Sequence, residues 1–71
     1  MDYQKMLFAA AVRDLAGGIR QTEAGTLWQS LKDADDPNRN EKRDQWLADH
    51  PISEFVPEAL RRIQEVADLI P

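Results

Sequence analysis

Residues 15–22, LAGGIRQT, decide how many helices this chain has. Upstream of them Leu7, Phe8, Ala11, Val12, Leu15 and Ile19 recur at steps of three and four, the mark of a helix with one broad apolar stripe. Downstream, Ala24, Leu27, Trp28, Leu31 and Ala34 repeat that spacing. Gly17 and Gly18 stand between. A glycine inside a helix costs about 1 kcal/mol relative to alanine, so an adjacent pair predicts a C-terminal stop followed by a turn. The spacing therefore predicts a first helix over residues 3–16, capped by Asp2, and a second that starts near the Thr22 hydroxyl. Gly25 weakens the first turn of the second helix. Trp28, within a regular apolar stripe, is assigned to the core.

Residues 35–46, DDPNRNEKRDQW, form the next boundary. Pro37 cannot continue a helix and holds its predecessor away from helical angles. Asn38 followed by Glu41 has the spacing of a capping box and predicts a third helix over residues 39–49. That helix is mostly polar and is anchored by Trp46 and Leu47. His50 and Pro51 close it. Ser53 and Pro57 offer starts for a last helix, since proline suits a first turn. Over residues 57–70 the positions Leu60, Ile63, Ala67 and Ile70 form a seam, and Val66 and Leu69 widen it beyond the needs of a small core. No strand-like alternation is present. The sequence predicts one all-α domain over residues 1–71, a small bundle of three to four helices, and the wide last stripe predicts a homodimer.

Composition narrows the chemistry. At 71 residues the core is small, and chains of this size commonly lean on disulfides, a metal or a second copy of themselves. There is no cysteine, which removes disulfides and thiolate metal sites and favours a reducing, cytoplasmic setting. No stretch approaches the roughly 20 apolar residues of a membrane span, and the apolar run at residues 6–12 is too short for a secretion signal. The formal charge of −4 argues against nonspecific attachment to phosphate backbones.

Each chemical motif has a plainer explanation. Asp33, Asp35, Asp36, Asn38, Asn40 and Glu41 suggest a calcium loop, but counting from Asp36 puts Glu41 where a turn glycine belongs and Leu47 where a bidentate acid belongs. Gly17-Gly18 is followed by no phosphate-loop lysine, and Ser30 and Ser53 lie in no nucleophile motif. His50, the sole histidine, sits at a helix end, where the dipole favours a cation. No catalytic residue, cofactor or metal is assigned. Arg39, Lys42 and Arg43 share a face with Trp46, a composition typical of protein-binding hot spots. They would also serve a helix-turn-helix DNA-binding regulator, although the acids around them oppose nucleic acid. Arg61 and Arg62, between Glu58 and Glu65, have the spacing of intrahelical ion pairs and are candidates for a rim contact.

The sequence thus suggests a non-enzymatic module that inhibits or adapts a larger protein by occupying its surface, of a size found among phage and mobile-element products. Arg39, Lys42, Arg43, Trp46, Arg61 and Arg62 are the partner-binding candidates. Leu60, Ile63, Val66, Leu69 and Ile70 form the dimer or core face. The alternatives are the DNA-binding regulator and a small structural assembly subunit.

Overall fold

The computed structural model describes residues 3–69 and shows an all-α chain with three α-helices in that span: α1 Tyr3–Asp33, α2 Arg39–Asp49 and α3 Val56–Asp68. A single 3-10 turn, Ile52–Phe55, precedes α3. The expected caps and seam residues Asp2 and Ile70 lie outside the described residues.

The largest departure from the sequence expectation is α1, which runs 31 residues without a break through Gly17 and Gly18. Neither glycine has a positive φ. The helical penalty of the pair, about 2 kcal/mol, is offset by what the unbroken helix positions. Ala16 and Ile19, on either side of the glycines, are buried against Phe55 and Ala59. Arg20, one residue further, hydrogen bonds to the end of α2. A turn at residue 17 would break that register. Thr22 does not cap a new helix either: its hydroxyl donates to the Gly18 carbonyl at 2.9 Å, inside α1.

The end of α1 matches the expected boundary and shows its mechanism. Asp35 is left-handed, with φ 55°. Its amide donates to the Lys32 carbonyl and the Asp36 amide donates to the Leu31 carbonyl, both at 2.9 Å, the paired bonds of a Schellman stop. Asp36 then sets up α2, its carboxylate accepting from the Asn38 amide at 2.8 Å and pairing with Lys42. The predicted capping box between Asn38 and Glu41 does not form, because the Asn38 side chain makes no cap hydrogen bond.

Helix α2 returns antiparallel along the carboxy-terminal half of α1, with Asn40 beside Trp28 and the His50 carbonyl beside Arg20. Helix α3 then follows α1 in the same sense. Ile52 and Val56 lie next to Phe8 and Val12, whereas Arg62 lies next to Leu15 and Ile19. The core is Val12, Ala16, Ile19, Phe55 and Ala59, flanked by half-buried Leu15, Trp46, Ile52, Val56 and Ile63. Ala16 and Ala59 are wholly buried. The inward seam of α3 is therefore centred on Ala59 and Ile63, not on the expected line through Leu60, Ala67 and Ile70. A small side chain at the centre lets the two helices approach closely.

The outcome is flat and long. The Cα extents are 48 × 28 × 13 Å and the radius of gyration is 15.6 Å, against about 11 Å for a compact domain of this length. The accessible surface is 5526 Å², about 1,000 Å² more than a compact chain of 8.1 kDa exposes. No helix among the described residues is long and apolar enough to cross a membrane.

Candidate interaction surface

Helix α1 extends beyond its partners at its amino-terminal end. Every residue from 3 to 11 is exposed, including Tyr3, Met6, Leu7 and Phe8 at 51–69 %. Where this arm meets the start of α3, Phe8, Ala9 and Val12 face Ile52, Val56 and Leu60 across a hollow of about 470 Å³, with Arg13 and Ser53 as its polar lining. That volume is typical of a ligand cleft. The chemistry of its walls is almost wholly apolar.

Helix α3 leaves a second apolar area uncovered. Val66 continues the stripe of Phe55, Ala59 and Ile63, yet it is 60 % exposed, and Leu69 is 83 % exposed. The stripe outlasts the α1 surface available to cover it. Of the residues expected on the dimer or core face, Ile63 packs against the core, Leu60 lines the hollow, and Val66 and Leu69 face solvent.

The cationic candidates have partners within the chain. Arg39 lies over the Trp28 ring, its Cζ 5.6 Å from the centroid, with Lys32 Nζ 5.5 Å from the same ring. Lys42 pairs with Asp36, and Arg43 with Asp44 at 3.1 Å. Trp28 donates from Nε1 to the Asn40 side chain at 2.7 Å. Trp28 is therefore not in the core, as its stripe suggested, but clamps the elbow between α1 and α2. Trp46 packs inward, its ring 4.5 Å from the His50 ring and 6.0 Å from that of Phe55. In this position the indole joins the end of α2 to the core.

On α3, Arg61 bridges Glu58 and Glu65, and Arg62 also pairs with Glu58 at 3.0 Å. Hydrogen bonds from Arg61 and then Arg62 hold the Glu58 carboxyl down to about 2, and the same pairing raises the Arg61 guanidinium. Lys42, followed by the Asn38 amide, likewise lowers Asp36. Arg13 is the one lysine or arginine among the described residues with no ion pair, hydrogen bond or ring contact. No three His, Asp or Glu among the described residues gather so as to hold a metal ion.

Sequence reasoning passed over Arg20 and the hollow. Arg20 directs two donors at the last carbonyls of α2, a role no local motif announces. The hollow joins positions more than forty residues apart, and only Phe8 was noticed, as a residue suited to pairing. No protein-family model, no curated protein and no solved structure matches this chain.

Proposed function

We propose that this chain is a small, non-enzymatic protein-binding module that acts in the cytoplasm as a homodimer and modulates a larger protein by occupying its surface. The observation that carries this is the uncovered apolar surface: large hydrophobic side chains of α1 and α3 stand in water around a core of only small and medium residues. Contiguous apolar surface of this kind marks association with another polypeptide. Burial of a rigid helical face in a groove of the target is the simplest mechanism, and it needs no catalytic group.

Internal pairing of the α2 cations also supports this choice over a DNA-binding regulator. Arg39, Lys42 and Arg43 already neutralise or stack on neighbours, so a phosphate backbone would have to displace those contacts. The distal end of α3, where Val66 and Leu69 lie beside the Arg61 and Arg62 network, is the target-facing candidate.

The test is affinity capture from the cell that makes the protein, with Leu69→Glu as the comparison. A captured protein lost with Leu69→Glu supports the module. If nothing is retained, while the chain shifts duplex DNA at low salt and loses that shift on Arg43→Ala, the regulator takes its place.

A further inference from the structure

We propose that a second copy of this chain covers the hollow between the α1 arm and α3, laying its own arm across it about a two-fold axis. This rests on the homodimer reading above and names the surface that makes the dimer. The hollow cannot be filled in cis. Phe8 is part of its wall, and the arm is continuous with the rigid 31-residue α1, so it cannot fold back onto α3.

The area agrees with a dimer. The excess of about 1,000 Å² over a compact chain is close to the roughly 800 Å² that each partner buries in a standard interface. The shape agrees as well. An isologous interface needs a self-complementary patch, and here an apolar ridge of Met6, Leu7 and Phe8 adjoins an apolar hollow on the same molecule. A two-fold rotation sets each ridge into the other hollow.

Charge selects the same occupant. Between Tyr3 and Val12 the only charged residue is Lys5, so two arms can meet with little like-charge repulsion. Depletion of charge at the centre is the compositional mark of an interface core. The exposed end of α3, with Val66 and Leu69, stays outside the hollow and remains open to a target.

Sedimentation equilibrium of the full chain from 1 µM to 1 mM, on wild type, Phe8→Glu, Leu60→Glu and Leu69→Glu, tests this. The expected result is a dimer for wild type and Leu69→Glu. Phe8→Glu and Leu60→Glu should weaken association on the order of 100-fold or more, with unchanged helical circular dichroism. Phe8 and Leu60 are about half exposed within one copy. Because they sit on opposite walls, either folded variant decides the matter if the other misfolds. A dimer that survives both wall substitutions overturns the proposed interface and leaves the homodimer reading standing. A wild-type monomer at 1 mM overturns both, and the capture experiment then judges target binding alone.

Discussion

Arg20 donates from Nε to the His50 carbonyl and from a terminal nitrogen to the Leu47 carbonyl, each at 2.7 Å. The guanidinium thereby meets the negative end of the α2 dipole and satisfies carbonyls left without helical partners. It ties the middle of α1 to the far end of α2. Charge-assisted bonds of this kind contribute about 1.5–3 kcal/mol when formed, and partial exposure reduces the total. Arg20→Met should destabilise the fold by about 2 kcal/mol, seen as a fall of about 10 °C in the thermal midpoint. Arg20→Lys should restore only part of it, since an ammonium cannot reproduce the fork.

Gly17 and Gly18 carry the test of the unbroken helix. A Cβ placed on either meets nothing within 4 Å. Gly17→Ala and Gly18→Ala should each stabilise by about 1 kcal/mol, as alanine replaces glycine in a helix interior. Urea midpoints would show it directly. A loss of stability in both variants would mean that the chain turns at this point.

Asp35 occupies the left-handed region at the end of α1, where glycine is free of the strain an L side chain carries. Asp35→Gly should raise stability by up to about 1 kcal/mol, and Asp35→Val, β-branched at the same angles, should lower it by at least as much. Opposite shifts in the two denaturation midpoints are the signature to look for.

Acid should weaken the fold over a defined window. Glu58 is held at about 2 in the folded chain against an ordinary 4.5, first by Arg61 and then by Arg62, and Lys42 lowers Asp36. With folded values below unfolded ones, the stabilisation is complete above the unfolded values and disappears as pH falls through the folded ones. The urea midpoint should therefore stay level from pH 7 to 5 and decline between pH 5 and 2. Glu58→Gln should start lower at pH 7 and fall less, and high salt should narrow the difference because these pairs are exposed.

Ala59 tests the seam of α3. It is wholly buried with Ala16 in the same cluster, so Ala59→Leu has no room and should cost about 1–3 kcal/mol or more through overpacking. Ala67→Leu, at an exposed position of the same helix, should change stability by about 0.5 kcal/mol or less. Equal effects in chemical denaturation would contradict the observed seam.

Much of this structure was already legible in the amino-acid order. Apolar steps of three and four with no alternation made the chain all-α. Pro37 and Pro51, which bar helix locally, set both ends of α2, and Arg61 and Arg62 found Glu58 and Glu65 because intrahelical pairs depend only on spacing. Local chemistry suffices for such features. Tertiary structure decided the rest. Gly17-Gly18 is a stop by propensity and a helix in fact, because burial of Ala16 and Ile19 together with the reach of Arg20 outweighs about 2 kcal/mol of local preference. Which side of α3 turns inward, whether an indole clamps an elbow or supports a core, and that Phe8 meets Leu60 across a hollow depend on residues distant along the chain. Periodicity shows that a helix has an apolar side; only the packed neighbours determine how much of that side is covered and how much is left in water.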